Sequence, residues 1–362
     1  MSFQQLEDWV AAECGEEHRK RAKVLWKWLY RDAHWAESVD DMAGVSRSFL
    51  SLLASSGARF SSLRLHSVRT AADGTKKVLF ELSRDADLRP SDRPKRLGVV
   101  ETRNLTAGEI VDQVVQIRRL FTEEVGPVTN LVFMGMGEPL HNLPAVLTAC
   151  NTLLDPLGAH CSPARTTVST CGLVPEMVEF CSHSQASLAL SLHATTDEVR
   201  SSIMPINKKH NLSSLFACLR QLFPSPTAQT AGDTGEGGDG RGHQDGESGA
   251  GFQQQTKKRH VFIEYLMLDG VNDSMDDAHR LVTLTEGIAC KINLIVFNPH
   301  PGTALQPSPL PRVLAFQHEL VQGGRKAYLR HSRGDDEMAA CGQLGQVPRL
   351  TGEKQAKAAS VV

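Results

Sequence analysis

Apolar residues recur at helical spacing through the first sixty positions, and the period then changes. In "RAKVLWKWLYRDAHW", Val24, Leu25, Trp28 and Leu29 repeat at three- and four-residue intervals between Arg and Lys, which predicts a helix. "SFLSLLASSG" predicts a second, stopped by Gly57. "LRLHSVRT" and "KKVLFEL" then flank "AADG", the signature of a hairpin. From about residue 105 strands alternate with helices. Thr106 and Glu109 form a capping box at the head of "TAGEIVDQVVQIRRLF". The strands "TNLVFMG", "RTTVST", "SLALSLH", "HVFIEYLML", "KINLIVFNP" and "KAYLRHS" follow, separated by amphipathic stretches such as "LPAVLTACNTLL" and "PRVLAFQHELV". Apolar strands joined by helical crossovers imply an α/β fold with parallel strands. No Gly-x-Gly-x-x-Gly follows a strand, so a partial (β/α) barrel is expected rather than a dinucleotide-binding sheet.

One segment breaks the alternation. From Ser225 to Lys258 the chain is dense in Gly, Asp, Gln and Ser and has little to bury, so a disordered insertion is expected at 225–258. The expected organisation is a helical module with a hairpin at 1–82, an irregular segment at 83–104, the barrel at 105–344 and a flexible tail at 345–362.

Composition adds limits. With 41% hydrophobic and 22% charged residues, the chain reads as an ordinary soluble globular protein. A net charge of -2 does not mark a polyanion binder, so any nucleic-acid contact must rest on a local basic patch. No apolar run approaches the ~20 residues of a membrane span, and no membrane partner is expected. Glu7, Asp8, Glu13, Glu16 and Glu17 make the N-terminus unlike a signal or transit peptide, so a cytoplasmic protein is expected, with an organelle left open. The eight cysteines include no Cys-x-x-Cys pair, and no metal site is expected among them.

Chemistry in a (β/α) barrel collects at the C-terminal ends of the strands. There the sequence places Gly137 and Glu138 after "TNLVFMG", and Ser169 followed by Cys171 and Gly172 after "RTTVST". Ser191, Leu192 and His193 end "SLALSLH", and Asn298 ends "KINLIVFNP". Gly137 permits close backbone approach, and Glu138 suits an ammonium group. The residues alone reach a barrel enzyme with a polar small-molecule ligand. "PINKKH" (Pro205 to His210) and "KKRH" (Lys257 to His260) are basic enough to meet phosphates, although a solvated face explains either by itself.

A resemblance extends this reading. "RNLTAGEIVDQV", "NLVFMGMGEPLHN", "TTVSTCGLVP", "LALSLHA", "MPINKKHN", "IEYLMLDGVND", "CKINLIVFNPHPG" and "RGDDEMAACGQL" occur in that order. Together they resemble the radical S-adenosylmethionine RNA adenine C2-methyltransferases, the RlmN-like family, over nearly the whole chain outside the Gly-rich insertion. The resemblance implies a radical-SAM-type partial barrel behind an N-terminal extension, acting on ribosomal or transfer RNA, as a monomer. It implies that Gly137, Glu138, Ser169, Ser191, Leu192, His193 and Asn298 bind S-adenosylmethionine, and that Cys341 is methylated and carries the methyl group to RNA. In the family a second S-adenosylmethionine is cleaved reductively at a [4Fe–4S] cluster. The resulting radical activates the S-methyl group for addition to the base, and a second cysteine releases the adduct.

The chain departs from the family at one place. The cluster-binding Cys-x-x-x-Cys-x-x-Cys loop belongs just before "RNLTAGEI", where this chain has "SRDADLRPSDRPKRLGVVET" (83–102) without a cysteine. The first barrel strand, the three cluster ligands, the resolving cysteine and the family's catalytic glutamate are expected to be absent, and an electron donor would be needed only if a cluster were bound. The alternative reading is a non-catalytic RNA- or S-adenosylmethionine-binding relative.

Overall fold

The computed structural model describes residues 2–31, 35–82, 103–135, 137–225, 260–299 and 303–330. Cys341, the tail at 345–362, the insertion beyond Ser225 and the segment 83–102 lie outside the described residues.

The N-terminal module has three helices: α1 (Phe3–Cys14), α2 (Ala22–Tyr30) and α3 (Arg47–Ser55). Their apolar stripes close on a small core of Leu6, Val10, Leu25, Trp26, Phe49 and Leu53. Strands β1 (Leu63–Thr70) and β2 (Lys76–Leu82) form the expected antiparallel hairpin. Its entry is tied to the barrel by Asp112, whose carboxylate accepts from Ser61 Oγ at 2.8 Å, Ser62 N at 2.7 Å and Leu63 N at 3.1 Å. Asp112 belongs to α4 (Ala107–Val125), and this helix does open on the Thr106–Glu109 capping box.

Glu109 is also gripped by Arg103, at 2.6 Å from Nη2 and 2.9 Å from Nη1. That pairing outweighs burial and holds the Glu109 carboxyl below its ordinary value of 4.5. A carboxyl with a lowered folded-state pKa stabilises the fold above its unfolded value and loses that contribution as pH falls through the folded one. Glu109→Gln is therefore expected to cost about 1 kcal/mol at neutral pH, because Arg103 remains partly solvated. Thermal unfolding from pH 7 to pH 3 should show the difference between variant and wild type shrinking below the usual carboxylate range. A gap that stays constant across that range would remove the ion pair as its cause.

Six parallel strands follow in sequence order, which is the connectivity of a barrel rather than of a doubly wound sheet. They are β3 (Leu131–Phe133), β4 (Thr166–Thr170), β5 (Ser187–Ser191), β6 (Val261–Met267), β7 (Cys290–Val296) and β8 (Ala327–Arg330). The crossovers run through α5 (Leu143–Leu154), α6 (Val174–His183), α7 (Asp197–Ile203), α8 (Leu212–Leu222), α9 (Met275–Leu284) and α10 (Leu310–Gln322). Among the described residues the sheet begins at β3, a three-residue edge strand that leaves Val132 44% exposed.

Alternation along the strands divides the sheet into two faces. Val168, Leu188, Leu190, Ile263, Tyr265, Ile292 and Leu294 pack outward on Val146, Phe180, Leu215, Leu281 and Phe316. The opposite, concave face follows the ladder register. Ser169 pairs with Ala189, Ser191 with Glu264, Glu264 with Asn293, and Ile295 with Arg330. Polar residues are thus gathered along the C-terminal half of that face. Among the described residues no helix is long and apolar enough to cross a membrane.

Candidate ligand site at the strand ends

The C-terminal ends of β3 to β7 enclose a cavity of about 330 Å³, and Gly137, Glu138, Ser169, Ser191, His193 and Asn298 all line it. They arrive from four strand exits, those of β3, β4, β5 and β7, so one parallel sheet brings together residues spread over some 160 positions of chain. Gly137 sits at φ 81°, in the left-handed region that suits glycine, and no atom lies within 4 Å of where a Cβ would stand. Backbone or ligand can approach closely there.

Glu138 follows, and its carboxylate is already oriented. Oε2 accepts from Cys171 N at 2.8 Å and Oε1 from Leu140 N at 3.1 Å. Two amide donors fix the carboxylate while leaving further lone pairs for a cationic ligand. Ser169 and Ser191 present their hydroxyls 3.4 Å apart.

His193 is held in the left-handed region at φ 61° by what surrounds it. Leu266 N donates to its Nδ1 at 3.1 Å, and Asn272 Nδ2 donates to its carbonyl at 2.7 Å. Burial first, and then the positive charge of Arg200, push its imidazole down to about 4. The ring is therefore neutral near pH 7. With Nδ1 accepting, its proton resides on Nε2 and is available as a donor.

Leu192 does not line the cavity. Its side chain is fully buried in the helix-facing core, its N–H donates to Glu264 O at 3.0 Å and its carbonyl accepts from Arg200 Nε at 3.1 Å. The two-residue period of the strand sends the side chain between Ser191 and His193 to the opposite face. Cys341 lies outside the described residues.

Glu264 lines the cavity and was not singled out from the sequence. It is only 3% exposed, accepting from Asn293 Nδ2 at 2.9 Å and from Arg330 Nη1 at 3.3 Å. A carboxylate inside the apolar strand "VFIEYLM" was the available signal, since a buried charge needs a partner or a ligand.

Cys171 also lines the cavity. Burial and the adjoining Glu138 carboxylate push its thiol up to about 12, so it stands as a protonated donor rather than a nucleophile.

A larger cavity, about 400 Å³, lies between the N-terminal helices and α4, lined by Trp9, Leu25, Tyr30 and Met42. It has the less promising chemistry despite its size. The polar groups at its wall are already engaged with one another: the Asp112 carboxylate by the hairpin entry, Arg119 by Glu37 and Gln116 by Ser61.

The residues present do not fit an iron–sulfur cluster. Such a cluster needs thiolates converging on one volume. Cys14, Cys150, Cys161, Cys181 and Cys218 are buried on different helices and loops, and Cys290 is half-buried on β7. Burial raises the thiols of Cys150 to about 12 and Cys290 to about 11. Among the described residues no three His, Cys, Asp or Glu side chains are grouped to hold a metal ion. The segment 83–102 contributes no cysteine at all.

Known proteins share both the sequence and the shape. No protein-family model matches the chain. It is 39% identical to the dual-specificity RNA methyltransferase RlmN of Geotalea uraniireducens over 95% of this chain and 94% of that one. It is 37% identical to the RlmN of Geobacter sulfurreducens over 95% of this chain and 90% of the relative. The crystal structure of a radical SAM methyltransferase from Sphaerobacter thermophilus superposes with a TM-score of 0.75 at 30% identity, covering 95% of this chain and 97% of that structure. A barrel whose strand ends carry these motifs, matched end to end by such proteins, belongs to the RlmN family of radical SAM RNA methyltransferases.

Proposed function

We propose that the strand-end cavity binds S-adenosylmethionine and that the family reaction its motifs serve is methyl transfer, through Cys341, to C2 of adenine in ribosomal or transfer RNA, a reaction that also needs the cysteine loop this chain lacks at 83–102. The observation that carries this reading is the convergence of Glu138, Ser169, Ser191, His193 and Asn298 on one cavity at the ends of parallel strands. Glu138 takes the α-ammonium group of the ligand, held ready by the Cys171 and Leu140 amides. The two serines, the neutral His193 and Asn298 supply hydroxyl, N–H and amide groups to the ribose, carboxylate and base.

Adenine C2 lies between two ring nitrogens and is electron-poor, which is why a direct attack by the base on a sulfonium methyl is unfavourable and a cysteine is wanted. The Cys341 thiolate displaces at the methyl carbon. A new S–C bond forms as the sulfonium C–S bond breaks, and S-adenosylhomocysteine leaves with the electron pair. Titration calorimetry with S-adenosylmethionine, together with mass-spectrometric mapping of S-methylation at Cys341, tests the reading. A protein that binds no S-adenosylmethionine would overturn it.

The cysteine-free segment 83–102 favours a second reading, a non-catalytic relative that binds RNA or S-adenosylmethionine. RNA binding by a chain of net charge -2 needs a local basic surface. Lys23 and Lys27 lie one turn apart on the face of α2 opposite its buried Leu25 and Trp26, Arg31 caps the helix four residues on, and Lys20 precedes it. None of the four has an ion-pair partner among the described residues. Unpaired cations in a row suit a phosphate backbone. Reversing the charges of Lys23, Lys27 and Arg31 is expected to weaken RNA binding and to flatten its dependence on log salt concentration by about 2, at ~0.7 per single-strand phosphate contact. S-adenosylmethionine affinity should be unchanged. Filter binding across a salt series decides it, and an unaltered slope would clear the stripe of any contact.

A further inference from the structure

Arg200 is a fully buried guanidinium on α7, at 0% exposure, directly behind the wall of the ligand cavity. Burying a charge is costly, and an apolar side chain of similar volume is often as good for stability alone. Among the described residues no carboxylate accepts a hydrogen bond from it. Its Nη2 donates to Cys171 O at 2.7 Å and Ser191 O at 3.3 Å, its Nε to Leu192 O at 3.1 Å, and its Nη1 to Asn207 Oδ1 at 2.9 Å.

Three of these four acceptors are backbone carbonyls at the exits of β4 and β5. Where strands end, carbonyls lose their ladder partners, and buried ones need another donor. A planar fork with five N–H groups can serve both exits at once, which neither a lysine nor a water molecule bound at one point can do. The fork is itself braced. Asn207 is buried, and its Nδ2 donates to Asp197 Oδ1 at 2.9 Å and to Ser201 Oγ at 3.0 Å. The motif "PINKKH" thus turns a buried asparagine inward behind the cavity while Lys208 and Lys209 stay exposed.

We infer that Arg200 is a positioning residue of the ligand site, clamping the ends of β4 and β5 so that Cys171, Ser191 and, through the Cys171 amide, Glu138 hold the geometry that grips the ligand. The inference rests on the reading of this cavity as the S-adenosylmethionine site. Arg200 touches no ligand atom in this assignment; it acts through the two strand exits.

The test compares wild type with Arg200→Lys and Arg200→Ala. Hydrogen exchange is followed in peptides covering 166–173 and 187–194, with a peptide covering 290–296 as the reference. Binding of S-adenosylhomocysteine is measured alongside by calorimetry. Arg200→Lys should keep cooperative unfolding but exchange faster in the two strand-exit peptides alone, and should bind S-adenosylhomocysteine about tenfold more weakly, the effect of losing one strong charge-assisted hydrogen bond. Methylguanidinium added to Arg200→Ala should restore slow exchange in those peptides. Unchanged exchange at the strand exits, or equal acceleration in the reference peptide, would overturn the assignment. If wild type binds no S-adenosylhomocysteine, the reading of the cavity fails, while the exchange data still decide what Arg200 does.

Discussion

The purified chain, reconstituted anaerobically with iron and sulfide, is expected to retain no stoichiometric iron and to leave RNA without 2-methyladenine. The reason is ligand supply. A [4Fe–4S] cluster is held by thiolates that converge, and no cysteine lies between Leu82 and Arg103, where the family places its three. The cysteines elsewhere are no substitute. Cys14, Cys150, Cys161, Cys181 and Cys218 are buried away from the cavity lining, and Cys171, the one cysteine among the described residues that lines the cavity, is held as a neutral thiol beside Glu138. Cys341 supplies at most one thiolate. Restoring a Cys-x-x-x-Cys-x-x-Cys loop between Leu82 and Arg103 should bring back bound iron, with methylated product following. Stoichiometric iron and 2-methyladenine from the unmodified chain would sink this expectation, and the second reading of the function with it.

Glu138→Gln is expected to lower affinity for S-adenosylmethionine by about 10- to 100-fold while the protein stays folded. A hydrogen bond to a charged group contributes about 1.5–3 kcal/mol, and each 1.4 kcal/mol is about tenfold in affinity. The amide retains one oxygen for the Cys171 or Leu140 N–H, so the strand exit keeps part of its order, but the charge facing the ammonium group is gone. Glu138→Ala removes both acceptors and should lose affinity further.

The pH profile adds a separate check. With His193 down at about 4 and the Cys171 thiol up at about 12, neither changes charge between about pH 6 and pH 9. The ligand's own α-amino group, with an ordinary pKa of about 7.7–8.0, does change there. Wild-type affinity should therefore fall as pH rises through that value, and the Gln variant should lose most of this dependence. Calorimetry giving equal affinity and equal pH dependence for both proteins would remove Glu138 from the site.

Much of this architecture is written in local pattern. Period-two apolar runs separated by helical stretches specify parallel strands with crossovers, and Thr106 with Glu109 starts its helix where the capping box sits, because these signals act within a few residues. The strand exits were legible for the same reason. Glu138, Ser169, Ser191, His193 and Asn298 each follow an apolar run directly, and a barrel brings all such positions to one rim. The cysteine-free segment is likewise a property of the sequence alone.

The tertiary structure decided which of those residues face the cavity and what holds them there. Leu192 stands in the same run as Ser191 and His193, yet the pleat turns it into the core. Glu264 meets Asn293 and Arg330 only through the register of β6 to β8, 29 and 66 positions away along the chain. Arg200 reaches Cys171 across 29 positions and Asn207 across seven. Whether a buried charge is satisfied depends on donors and acceptors that distant segments bring to one point, and a periodicity read over a dozen residues holds no record of that meeting.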